Sequence, residues 1–261
     1  MTLLARWRAD QLVFEDTSGT DAAENTDGVA AWGIYEGSQA GSVATQSTSG
    51  NRPIWNSDDG GYPSVSVTGS STQRLNLAHS APWVITSFSW LAAIKITMGN
   101  LTHVWGRGSA WTNAGVMSNP TISGTSIYQI TFHTGYITRA IPTAHPTHLA
   151  ATWFVIGGTA DGSCIKSYIN TQSASRVLQS QTVNFGTNPL TLFGDGSTFA
   201  QFHMTGAARE FAFWDSALSE TDMQTELAAA MTRWGITNTV EPPSSGVTGF
   251  TGLSGVGRLG T

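Results

Sequence analysis

Three kinds of residue in this chain could do chemistry: adjacent carboxylates, spaced histidines, and aromatics in turn-rich segments. A retaining glycosidase needs two carboxyls about 5–5.5 Å apart, and a sandwich enzyme would set them on one strand. The acids that neighbour one another here are Glu15-Asp16 and Asp58-Asp59, in or beside polar loops, and Glu220 with Asp222 at a helix start. No strand segment carries an acidic cluster, so these read as solvated loop acids and no catalytic residue is assigned. His145 and His148 lie on either side of Pro146, but no cysteine or carboxylate neighbour completes a zinc set. They read as a loop histidine and a strand-start histidine, and no metal ligand is assigned. There is no G-x-S-x-G elbow, Walker A loop or complete dinucleotide fingerprint. Gly106-Arg107-Gly108 and Gly194-Asp195-Gly196 are turn glycines, and no cofactor is implied.

Binding chemistry is better represented. Trp105, Trp111, Tyr128 and Tyr136 fall in the turn-rich middle of the chain, where exposed rings could stack on sugars beside Asn113 and Asn119. The plainer alternative is that most of them pack a core or a subunit contact, since buried aromatics dominate both settings.

Composition narrows the partners. Only 11% of residues are charged, the net charge is −5, and the two lysines are Lys95 and Lys166. That balance argues against nucleic acid or an anionic membrane as the main partner. The 29 glycines, together with abundant Ser, Thr and Asn, give a strand-and-turn composition with a neutral polar surface. One cysteine, Cys164, excludes an intrachain disulfide and reads as a small buried hydrophobe. No stretch reaches transmembrane length, and Arg6, Arg8 and Asp10 interrupt the N-terminal apolar residues. Synthesis in a cytoplasm is the expectation.

The elements that must position these side chains are mostly strands. The clearest segment is 206–236. Phe211 and Phe213 fall on one face of a strand, with Glu210, Ala212 and Trp214 on the other. A helix over Ser219–Trp234 follows, with Ser219 at the N-cap, Asp222 three residues on as an acidic variant of the capping box, and Gly235 as the left-handed stop. Met223, Leu227, Met231 and Trp234 recur at helical spacing, so one apolar stripe is expected to dock on the sheet. Val84–Thr97 alternates with Phe88, Trp90, Ala92, Ile94 and Ile96 inward, and its other face is expected to be mostly wet. Leu149–Ile156 reads as a central strand covered on both sides, and Gly157–Gly162 as a turn. Short strands at roughly 8–12-residue spacing with Gly/Asn/Ser turns indicate an antiparallel sandwich or barrel.

Residues 237–245 read as a linker and 246–261 as a tail. Gly246, Gly249, Gly252 and Gly255 are spaced by three, a collagen-like period that contains no proline and lapses at Arg258. The tail is either a flexible Gly-rich extension or a short threefold assembly stalk. The second reading makes the protein a homo-oligomer, with a trimer as the candidate.

Over residues 1–236 the chain resembles the laminin-G-like, concanavalin A-like jelly-roll superfamily. The resemblance rests on Leu4–Asp10 with Val29–Trp32, on Ala44-Thr45-Gln46 with Asn51-Arg52-Pro53, and on Pro63–Leu75. Ser87–Ile96, His148–Asn170 and the Arg209–Ile236 ending complete it. It implies an all-β, antiparallel two-sheet jelly-roll sandwich with one short C-terminal α-helix and a Gly-rich tail. Two family features have no counterpart. The C-terminal disulfide of laminin G domains needs a second cysteine, and although many members bind Ca2+, no ligand set is assignable here.

Three functions follow as expectations. The first is a non-enzymatic virion structural or adhesion protein of a bacteriophage: a capsid decoration, head fibre or tail-associated protein. It would be made in the host cytoplasm, assembled with other virion proteins, and able to bind host surface glycans. The second is a carbohydrate-binding module of a bacterial surface protein, located outside the cell. The third is a glycoside hydrolase or lyase, for which the chain offers no carboxylate pair.

Overall fold

The computed structural model describes residues 1–69, 72–78, 87–98, 103–107, 116–123, 126–134, 137–142, 151–161, 164–170, 172–178, 189–194 and 204–237. The strands are β1 (Leu3–Arg8), β2 (Val13–Phe14), β3 (Ala31–Gly33), β4 (Val43–Thr45), β5 (Ile54–Asn56) and β6 (Ser64–Thr68). There follow β7 (Leu75–Leu77), β8 (Phe88–Met98), β9 (Trp105–Arg107), β10 (Val116–Ser123), β11 (Ser126–Thr134) and β12 (Ile137–Pro142). The last are β13 (Trp153–Ala160), β14 (Cys164–Ile169), β15 (Gln172–Leu178), β16 (Leu190–Leu192) and β17 (Thr205–Trp214), before helix α1 (Glu220–Arg233). Residues 238–261, which hold the rest of the linker and the tail with Gly246, Gly249, Gly252 and Gly255, lie outside the described residues.

All pairings among the described strands are antiparallel. One sheet runs β15-β14-β13-β8-β17-β6-β5, with β1 also paired to β17. The second runs β2-β3-β4-β7-β16-β9, and β10, β11 and β12 form a small third sheet. Strand β17 is the spine: β8 lies along one edge, while β6 and β1 share the other.

The two large sheets bury one face each against the other, as a half-apolar pleat requires. Trp7, Trp32, Trp90, Trp105, Phe193, Phe211 and Phe213 fill this layer together with aliphatic residues. Several of the rings meet edge-on, with Phe213 at 5.0 Å from Trp105 and 6.0 Å from Trp7, while Trp32 and Phe193 stack at 6.1 Å; the ring quadrupole favours both geometries. Trp105 is therefore fully buried between Trp90, Phe88 and Phe213. This corrects its place among surface sugar-stacking candidates, because a fully buried ring has no accessible face.

Helix α1 makes a second, separate core on the outer face of the larger sheet. Ser219 Oγ accepts from the Asp222 amide at 3.1 Å and donates to the Asp222 carboxylate at 2.7 Å. At the other end Gly235 adopts φ +60°, and the Ile236 amide donates back to the Met231 carbonyl. Met223, Leu227, Met231 and Trp234 pack on Leu91, Ala93, Val155, Ala212 and Trp214. The outer face of β8 is consequently not wet, contrary to its polar appearance in sequence. Leu91 and Ala93 are fully buried, and Ser89 Oγ accepts from the Leu218 amide at 2.7 Å and donates to the Ser216 carbonyl. The serines of that face hold down the connection that feeds the helix.

Strand β13 also departs from expectation. Ala151 and Thr152 precede it, and it runs through Gly157-Gly158-Thr159-Ala160, which read as a turn. A Cβ at Gly157 would lie 2.1 Å from Met223 Cε, 2.9 Å from the Trp90 carbonyl oxygen and 3.3 Å from Leu227 Cδ2. Glycine is there so that the helix can seat on the strand, a packing demand that local propensity cannot register. Gly157→Ala is expected to cost about 1–3 kcal/mol by overpacking. A urea melt checks it, and a change below about 0.5 kcal/mol, inside the range of an ordinary surface substitution, would show that the helix rides higher than described. Among the described residues no helix is long and apolar enough to cross a membrane.

Candidate functional site

A β-bulge creates the one constellation of charge and rings on the outer face that α1 leaves uncovered. In the β17–β8 register Ala208 opposes Ile94 while Glu210 opposes Ala93, so Arg209 is the extra residue. Arg209 and Glu210 thus both leave the sandwich core, and their side chains part. Glu210 is fully buried, with Arg6 Nε at 3.3 Å, Arg233 Nη1 at 2.5 Å and Trp234 Nε1 at 2.6 Å. Arg6 continues to Glu36 at 3.0 Å and Glu226 at 2.7 Å, tying β1, β17 and α1 together.

Arg209 faces away from this network. Its guanidinium carbon lies 3.9 Å from the ring centre of Trp153 and 4.9 Å from that of Tyr62. Nη1 donates to the Trp234 carbonyl at 3.0 Å and Nη2 to the Asp59 carbonyl. Burial draws the guanidinium below its ordinary range, and the Asp59 carboxylate and Tyr62 pull it back. Asp59 itself is held by Lys95, whose ammonium donates to both carboxylate oxygens at 2.6 Å and lies 5.1 Å from the Trp153 ring centre. The result is a ladder, Tyr62–Arg209–Trp153–Lys95–Asp59, in which cations alternate with rings.

Two clefts flank the ladder. One, of about 290 Å³, is lined by Tyr62, Trp153, Arg209, Trp234 and the backbone of Gly60 and Gly235. The other, of about 340 Å³, is lined by Asp59, Lys95, Ser66, Thr68, Thr97 and Thr205. Tyr62 and Trp153 are half-buried, so each ring keeps surface for a ligand.

Of the residues singled out from sequence, Trp105 is in the core, while Trp111, Asn113 and Tyr136 lie outside the described residues. Tyr128 belongs to β11, and only its backbone is described. Sequence reading missed Tyr62, Trp153 and Arg209. The available signal was Arg209-Glu210, two charges in succession inside an apolar strand, which a regular pleat cannot accommodate on one polar face.

Among the described residues no three His, Cys, Asp or Glu side chains converge as metal ligands would. The acidic loop near β2 behaves instead as a repulsive cluster. Hydrogen bonding and charge repulsion from Asp21, then Asp27, raise Glu15 to about 6. Asp16 is held far below the usual carboxylate range by Ser18 Oγ and the Asp21 and Thr20 amides. A raised folded-state pKa stabilises below the unfolded value and loses that contribution as pH rises through about 6. Glu15→Gln is accordingly expected to raise the Tm at pH 7.5 and leave it unchanged at pH 4. An equal shift at both values would contradict the charge argument.

No family model and no curated protein matches the sequence. Solved structures do. Domain 4 of AbnA, a GH43 extracellular arabinanase from Geobacillus stearothermophilus, in complex with arabinotriose, superposes with a TM-score of 0.58 at 15% identity. The match spans 87% of this chain and 98% of that one. The fold is an antiparallel two-sheet jelly-roll sandwich with one short helix. The CBM40 of Ruminococcus gnavus IT-sialidase bound to α2,3-sialyllactose scores 0.47 at 10% identity, over 63% of this chain and 96% of that one. The heptameric SAP-like pentraxin from Limulus polyphemus scores 0.47 at 11% identity, over 55% and 70%. Of these three only the first exceeds 0.5, and at such identity it shows shared architecture, with the site left to this chain's own residues.

Proposed function

We propose that this jelly-roll sandwich is a non-catalytic carbohydrate-binding module working outside the cell. The observation that carries the reading is the cleft walled by the half-exposed rings of Tyr62 and Trp153. Such rings present apolar faces to sugar C–H groups, while neighbouring backbone and side-chain polar groups orient hydroxyls. The superposition on a domain described with arabinotriose supports an oligosaccharide as the ligand class. The carboxylates flanking Arg209 are committed, Asp59 to Lys95 and Glu210 to Arg6 and Arg233, which supports binding without turnover.

The virion reading drew on the Gly-x-y tail, which lies outside the described residues, and on cytoplasmic synthesis, few lysines and a neutral polar surface, which an extracellular binding module shares in part. The binding-module reading has the broader support.

A glycan array followed by calorimetric titration with arabinotriose and sialyllactose tests the proposal. Trp153→Ala is expected to weaken binding about tenfold or more, as loss of an aromatic anchor does, with circular dichroism confirming a retained fold. Undiminished affinity in the folded variant would move the site elsewhere, and a blank array of broad coverage would end the reading.

A further inference from the structure

Arg209 is spent on unusually poor partners for a buried cation. It is 2% exposed, yet both acceptors it holds are neutral backbone carbonyls, those of Trp234 and Asp59. Its Nε is buried with no hydrogen-bond partner. Among the described residues no carboxylate stands within ion-pair distance of it. The neighbouring acids are engaged: both oxygens of Asp59 face Lys95, and Glu210 turns the other way to Arg6 and Arg233. The ring faces of Trp153 and Tyr62 stabilise a cation but do not neutralise it. Buried donors without acceptors are rare in folded proteins, and each asks for a physical reason. Arg209 lines a cleft whose other lining residues are glycine, alanine, threonine, isoleucine and aromatic.

We propose that the cleft selects a sugar carrying a carboxylate, with Arg209 reading its charge while the surface that Tyr62 and Trp153 leave exposed contacts its ring. This rests on the glycan-binding reading and sharpens it to a substrate class. The guanidinium is planar, fixed between two rings and already desolvated, so an arriving carboxylate meets a preorganised charge in a medium of low effective dielectric. A neutral sugar gains the stacking and none of the charge.

The test uses the wild-type chain and two matched pairs of probes: α2,3-sialyllactose against lactose, and trigalacturonate against its methyl ester. The acidic member of at least one pair is expected to bind about tenfold or more tightly, the worth of a charged hydrogen bond. That gap should narrow as NaCl rises from 20 mM to 500 mM. Arg209→Gln should bring the acid-to-neutral ratio toward one. Because the wild-type comparison does not depend on the variant folding, it decides the matter alone. Equal affinity within both pairs, or preference for the neutral members, overturns the charge selection and leaves glycan binding standing. Failure of all four probes together with a blank glycan array overturns both.

Discussion

Replacing Glu210 with alanine is expected to cost about 3–5 kcal/mol, a large share of the 5–15 kcal/mol that stabilises an ordinary domain. The reason is what the substitution leaves behind more than the attraction it removes. The carboxylate is fully buried and faces Arg6 at 3.3 Å, Arg233 at 2.5 Å and the Trp234 indole N–H at 2.6 Å. Without it, the Arg6 guanidinium, whose side chain is 9% exposed, loses an ion-pair partner, and Arg233 and the buried Trp234 indole lose their shared acceptor. Arg6 retains Glu36 and Glu226, so the cost falls mainly on the Arg233–Trp234 end, where α1 closes. Glu210→Gln keeps an acceptor for the indole and should cost less. Urea midpoints for both variants decide the point. A Glu210→Ala cost under 1 kcal/mol would show that water reaches this junction.

Leu227→Ala is expected to cost about 2–5 kcal/mol, the range for truncating a leucine in a core that cannot collapse around the gap. Leu227 is fully buried at the centre of the helix–sheet layer, and its Cδ2 lies against Gly157, where the strand has no side chain to fill the space left. The same loss should loosen the helix over Leu91, Val155 and Trp214, so dye binding to exposed apolar surface ought to rise along with the drop in urea midpoint. A near-zero change would mean that the stripe faces solvent. The two variants probe one layer by different physics, ionic at the helix end and dispersive at its middle.

That layer also shows how far the amino-acid sequence reaches. Helix α1 was legible almost residue by residue, because caps, dipole-matched charges and a 3.6-residue stripe are local properties. The inward parity of β8 and the opposed faces of Phe211/Phe213 and Ala212/Trp214 were legible for the same reason, since a pleat repeats every two residues. Legibility stopped where the partner lay far along the chain. Ser89 and Lys95 look like a solvent face until α1, more than a hundred residues later, covers one end of it. Gly157 looks like a turn until Met223 is seen to need its place.

The candidate site lies wholly on the far side of that limit. Tyr62, Trp153 and Arg209 come from a loop, a strand start and a bulge, 91 and 56 residues apart in turn, and nothing in their local surroundings marks them as a set. By itself the sequence determined an antiparallel sandwich sealed by one amphipathic helix, since hydrophobic period and cap chemistry are written within a few residues. Tertiary structure alone decided that Trp105 is core and Trp153 is not, and that one extra residue in β17 turns Arg209 toward a cleft and Glu210 toward a helix. A bulge shifts the pleat by one position, and its consequence depends on what the neighbouring strand and helix place opposite it.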